Sequence, residues 1–138
     1  MISVKVVTPT NIAFEGQCAQ LYAPGAEGEF GVLEDHARFL SLSSPGVLSL
    51  EGAQSSDDDS NKSDIELFVG AGFIEVSDNS TTFLVDSCVQ RSELSKSDAE
   101  AELTEAQAAY DALDVTDSSY SAAKARFVLA QAKVDAAS

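Results

Sequence analysis

The residues best placed to do chemistry gather around the only histidine, His36, which follows Glu27, Glu29, Glu34 and Asp35 in the segment PGAEGEFGVLEDHARFLSLSSPG over residues 24–46. Acidic neighbours hold an imidazole nearer its charged form, which is how acid–base sites are tuned. One imidazole, however, supplies neither a two-histidine metal face nor a triad with a second base. Recognition at a surface suits Glu29 and His36 better than catalysis. Gly25, Gly28 and Gly31 recur at every third position around these acids, a spacing that suits a shaped loop and no helix. The series lacks the Gly-Lys-Ser/Thr ending of a phosphate cradle.

Three further groups tempt a chemical reading and fail it. Gly70-Ala71-Gly72 would open a dinucleotide fingerprint, but Glu75 stands where the third glycine belongs, and Ile74 and Val76 continue a strand where a helix must begin. Asp57, Asp59 and Asn61 carry the first three spacings of a calcium loop. Lys62 then replaces its turn glycine, and Phe68 its bidentate glutamate, so a solvated acidic loop is expected. Cys18 and Cys88 are distant in sequence and read as free thiols.

The elements that position these residues fall into two regions. Up to about Cys88 apolar residues alternate, as in Val4 and Val6, Ile65, Leu67 and Val69, Ile74 and Val76, and Phe83 and Val85. Period two in short runs separated by Gly, Pro, Asn and Ser predicts an antiparallel β-sandwich or flattened barrel. From Ser95 onward Gly and Pro vanish. Ala99, Leu103, Ala106, Tyr110 and Leu113 form one helical stripe, and Tyr120, Ala123, Phe127, Ala130 and Val134 form a second. Ser95 with Asp98 predicts a capping box for the first helix, and Thr116 or Asp117 a cap for the second. The fold class expected is α+β, a β-sandwich plus helices, with a sandwich over residues 1–90 and an antiparallel two-helix hairpin over 91–138. The polar stretch of residues 51–64, EGAQSSDDDSNKSD, predicts a long mobile hairpin loop.

A chain of 138 residues with 44% hydrophobic content can bury a core as one domain or two small ones. Its net charge of −15, with 8 Lys and Arg in all, excludes nucleic acid and anionic membrane surfaces as partners and points to proteins. The start, MISVKVV, enters a strand directly, without the basic and apolar regions of an export signal, and no apolar run approaches the ~18 residues of a membrane span. The chain reads as soluble and unexported.

The glycine-spaced segment, together with VVTP at residues 6–9, GAGFIEV at 70–76, FLVDS at 83–87 and the Ala-rich tail, closely resembles the epsilon subunit family of F-type ATP synthases, called delta in mitochondria. The resemblance spans essentially the whole chain. It implies a non-catalytic central-stalk subunit without cofactors, bound to gamma and to the c-subunit ring and peripheral to the membrane. The side would be the cytoplasmic face in a bacterium and the matrix side in an organelle. The family's GEFGVL-x-x-H run corresponds to residues 28–36, and in relatives its Glu and His, here Glu29 and His36, meet the c ring. It further implies a regulatory contact between the hairpin and the alpha/beta catalytic head through basic residues of the second helix, here Lys124, Arg126 and Lys133. At about 100° per residue Lys124 falls on one flank of the apolar stripe and the other two on the opposite flank, so they make no single basic face.

Three departures stand out. Glu34 replaces a common Pro, and the acidic stretch of residues 51–64 is longer than usual. In the third, Leu94-Ser95-Lys96-Ser97-Asp98-Ala99 has Ser for the Asp and Asp for the Arg of the ATP-binding motif, so no ATP sensing is expected. Two rival readings, a small acidic hydrolase using Glu29 and His36 and a calcium-binding module, lack respectively a nucleophile or metal set and an export signal.

Overall fold

Alternation of residue type becomes alternation of faces. In the computed structural model, which describes residues 1–33, 38–55 and 63–137, β1 (Ile2–Val7) buries Ile2, Val4 and Val6 and exposes Ser3 and Lys5. The same period runs through β2 (Ile12–Cys18), β3 (Gln20–Gly25), β8 (Gly72–Ser77) and β9 (Ser80–Val85). The remaining strands among the described residues are β4 (Gly28–Val32), β5 (Phe39–Ser43), β6 (Gly46–Ser55), β7 (Ser63–Val69) and β10 (Cys88–Gln90). Inward-facing residues of both layers meet in one core that includes Leu21, Leu48, Leu50, Val69, Ile74 and Phe83.

The strand order is β10-β7-β6-β2-β1-β9-β8-β5-β3-β4, and β3 pairs with β6 as well. The joints between β2 and β6 and between β3 and β5 are narrow, two register pairs and one. The sheet therefore folds into two layers, β10-β7-β6-β3-β4 and β2-β1-β9-β8-β5. This is the expected flattened barrel, with one difference. β1 and β9 run parallel, Val6 beside Phe83 and Val7 beside Leu84, in an otherwise antiparallel sheet. Side-chain alternation is identical in parallel and antiparallel strands, so periodicity does not separate the two.

The expected loop of residues 51–64 begins later than the sequence suggests. β6 continues through Ser55, and β7 starts at Ser63. A bulge at Gly52, with φ of 62°, lets the strand carry on; its N–H donates to Asp64 Oδ1 at 3.0 Å, and Ala53 is buried beyond it. Small polar residues here form strand because their backbones pair with β2, β3 and β7. Asp57, Asp59, Asn61 and Lys62 lie outside the described residues. At the β8–β9 turn Asp78 and Asn79 both take positive φ, which two-residue hairpins require and these side chains tolerate.

By internal contacts the chain divides into two compact units, Met1–Gln90 and Arg91–Ser138. The second opens with a short 3₁₀ turn (Arg91–Glu93), followed by α1 (Lys96–Asp111) and α2 (Tyr120–Ala137). Ser95 caps α1, its Oγ accepting from the Asp98 N–H at 3.4 Å. Leu113 falls beyond the helix, where it is half-buried. Neither Thr116 nor Asp117 is the residue next to α2. Asp117 braces the turn instead, accepting from the Ser119 N–H at 2.9 Å, while the Thr116 N–H donates to Asp114. The helices run antiparallel, with Tyr110 beside Tyr120 near the turn and Glu102 beside Lys133 further along.

Candidate functional site

The glycine-spaced segment forms the β3–β4 hairpin. Gly28 has a φ of 126°, which L side chains rarely adopt, and a Cβ on Gly25 would lie 2.8 Å from the Gly28 carbonyl and 2.9 Å from the Phe30 ring. The turn thereby places Glu29 in register with Pro24 on β4, with its side chain exposed. His36, Glu34 and Asp35 lie outside the described residues. The chain leaves β4 through exposed Leu33 and returns at Arg38, which pairs with Asp78 at 3.2 Å. Phe39 then begins β5, its ring edge-on to Phe30 with centroids 5.1 Å apart.

A larger feature lies on the outer face of the second layer. Strand register aligns Leu42 of β5 with Phe73 of β8, Phe73 with Leu84 of β9, Leu84 with Val7 of β1, and Val7 with Ile12 of β2. Ile12, Leu84, Phe73 and Leu42 are 50%, 51%, 53% and 55% exposed, and Val7 is half-buried. Five strands thus contribute one continuous apolar stripe. The adjacent row on the same face reads Leu40, Glu75, Thr82, Lys5, Glu15, mostly polar. An apolar centre with a polar margin is the anatomy of a protein interface, and scattered single apolar residues would not line up across every strand of a layer.

The sequence held the signal for this stripe. Ile74, Val76, Phe83 and Val85 fix the inward parity of β8 and β9, which turns Phe73 and Leu84 outward. Reading only the inward residues missed it.

The basic residues of α2 do not converge. Arg126 pairs with Glu105 and Lys133 with Glu102 of α1, each at 3.2 Å, while Lys124 is exposed with no such partner among the described residues. Where the wheel predicts opposite flanks, the structure ties one flank to α1. Tyr110 and Tyr120 join their hydroxyls at 2.7 Å, and Phe127 packs on Tyr110 with ring centroids 5.4 Å apart. The hydrogen bond to Tyr120 is the largest influence raising the Tyr110 pKa above its ordinary value.

No arrangement for catalysis emerges among the described residues. None contains three His, Cys, Asp or Glu side chains grouped as for a metal. A shallow cleft of about 510 Å³ is lined by Arg38, Phe39, Leu40, Glu75, Val76 and Ser77, without a nucleophile–base pair. Both cysteines are free. Burial pushes the Cys18 thiol up to about 11 and raises that of Cys88 as well, so neither is an activated thiolate. No helix is long and apolar enough to cross a membrane among the described residues.

A family model described as the beta-sandwich domain of the ATP synthase delta/epsilon chain matches residues 1–91. The chain belongs to the ATP synthase delta/epsilon family. A family member from Granulibacter bethesdensis, named ATP synthase epsilon chain, is 33% identical over 139 residues, covering 98% of this chain and 96% of that one. Another of that name from a Sulfurovum species is 34% identical over 89 residues, and the match spans 64% of each. Among solved structures, a chain of the Tetrahymena thermophila mitochondrial ATP synthase central stalk and c ring has the same fold, with a TM-score of 0.65 at 20% identity over 99% of this chain and 96% of that one. Sandwich and hairpin together are therefore the architecture of this delta/epsilon chain.

Proposed function

We propose that this chain serves as the epsilon-type subunit of a rotary ATP synthase, performing no chemistry and linking gamma to the c ring in the central stalk. The apolar stripe of Leu42, Phe73, Leu84, Val7 and Ile12 carries the proposal: a face this continuous is covered in a working assembly, and the gamma subunit is its occupant. Glu29, at the glycine-shaped turn, and His36 are assigned to the polar loops of the c ring. The subunit is peripheral to the coupling membrane, on the cytoplasmic face in a bacterium or the matrix side in an organelle.

The hairpin is assigned a regulatory part without ATP sensing. A triphosphate needs cationic donors, and Arg is the forked partner for its oxygens. Asp98, Glu100, Glu102 and Glu105 instead line α1, and Arg126 and Lys133 are already paired with two of these acids. For the same reason, contact between α2 and the alpha/beta head must compete with α1 for those two cations.

The test is gamma binding by a Phe73→Glu, Leu84→Glu variant. Both side chains are already half exposed, so losing the rest of their burial costs about 2 kcal/mol, roughly thirtyfold in Kd, before any penalty for a buried charge is added. Val115→Ser, at the most exposed large apolar residue among those described, on the hairpin turn, serves as the control and should bind as the parent does. A folded double variant with parental affinity for gamma would refute the assignment of the stripe.

A further inference from the structure

The charge balance in the last turn of α2 is unfavourable. Its last turn contains Asp135 and no basic residue, so a carboxylate sits where the carbonyl dipoles already accumulate negative charge. Gln131 donates to Asp135 Oδ1 at 3.2 Å, which restrains the carboxylate.

A donor and a cation reach this turn from the other end of the unit. Arg91 Nε donates to the Ala136 carbonyl oxygen at 2.7 Å, in a partly buried position, across a separation of 45 residues. Arg91 is the first residue after β10, in the 3₁₀ turn that leads into α1. A guanidinium there supplies both a hydrogen bond and a positive charge to the last turn of α2.

The two ends of the hairpin are held by different forces. Near the turn, Tyr110, Tyr120 and Phe127 stack and share a hydroxyl–hydroxyl bond, and aromatic side chains bring large apolar contact area. At the base, the buried side chains among the described residues are Ala99 and Ala136, whose methyl groups contribute little. The ion pairs between base and turn, Glu102 with Lys133 and Glu105 with Arg126, have mostly exposed side chains and are screened by salt.

We propose that Arg91 is a latch on α2: its guanidinium closes the base of the hairpin, and the hairpin opens from that end, by release of Ala136, while the aromatic turn stays clasped. The latch stands on residues 91–137 alone and does not depend on the partners assigned above. It makes the order of the last turn of α2 conditional on the connector that carries Arg91.

Backbone amide hydrogen exchange on the full chain tests this. In the parent protein, amides of residues 132–137 should exchange faster than those of 106–111 and 120–127. Arg91→Ala should accelerate exchange at 132–137 by about tenfold, the upper part of the range for a cation at a partly buried helix C-terminus, and leave the other two stretches within about twofold. Arg91→Lys, which keeps the charge and loses the planar donor, should recover part of the protection. Should Arg91→Ala fail to fold, Arg91→Gln replaces it and is read in the same way. Unchanged exchange at 132–137, equal acceleration at base and turn, or a parent protein whose turn opens before its base would each overturn the latch.

Discussion

The sandwich and the hairpin bury themselves with different residues. The sandwich core is built from Ile2, Val4, Leu21, Leu48, Ile74, Phe83 and their neighbours, all essentially inaccessible to solvent. Among the described residues of the hairpin the buried ones are all alanine: Ala99, Ala106, Ala130 and Ala136. Fully burying a Leu, Ile or Phe side chain contributes about 1.5–3 kcal/mol, whereas a single methyl group contributes less than 1 kcal/mol. One unit is therefore a permanent scaffold held by its interior, and the other is a marginal pair of helices held at discrete points, Arg91 at the base and an aromatic cluster at the turn. That contrast is what the proposed function asks for, with the gamma-binding stripe on the first and the regulatory contact on the second.

Core truncation should separate the two most sharply. Phe83→Ala removes a ring that is fully buried between the layers, and the expected loss is about 3–5 kcal/mol, a large share of the stability of a domain this size. Ala106→Gly, at a fully buried position in the middle of α1, should cost about 1 kcal/mol, chiefly through helix propensity. Chemical denaturation followed by resolved backbone amide resonances of each unit distinguishes them. Phe83→Ala should shift the sandwich transition, and Ala106→Gly only the helical one. A single transition displaced equally by both would erase the contrast.

A smaller effect sharpens it from the other side. Thr81 is fully buried, in register with Val4 and Val76, and its hydroxyl has no hydrogen-bond partner among the described residues. An unpaired buried polar group costs about 1–3 kcal/mol, and valine has nearly the same shape. Thr81→Val should therefore raise sandwich stability by about 1 kcal/mol and leave the hairpin unchanged; a decrease in the urea midpoint would show that the hydroxyl has a partner after all.

Much of this was legible in the residues. Alternation in Val4 and Val6, Ile74 and Val76, and Phe83 and Val85 reads directly as strand faces, and the 3-and-4 spacing of Ala99, Leu103, Ala106 and Tyr110 reads as a helix stripe, because side-chain direction follows local geometry. What depends on partners distant in sequence was not legible. The parallel pairing of β1 with β9, the extension of β6 through Ser55, and the bond from Arg91 to Ala136 each join segments whose local pattern is silent about one another. The apolar stripe lay between these cases. Every member has a readable outward parity, but their alignment across five strands requires the register.

The most direct test of this division of labour is the affinity of residues 1–90 for isolated gamma, measured by calorimetry beside the full chain. If the sandwich alone folds and carries the binding stripe, the truncated protein should keep its β-sheet circular dichroism and bind gamma within about threefold of the full-length Kd. Loss of folding, or a folded fragment that no longer binds, would contradict it.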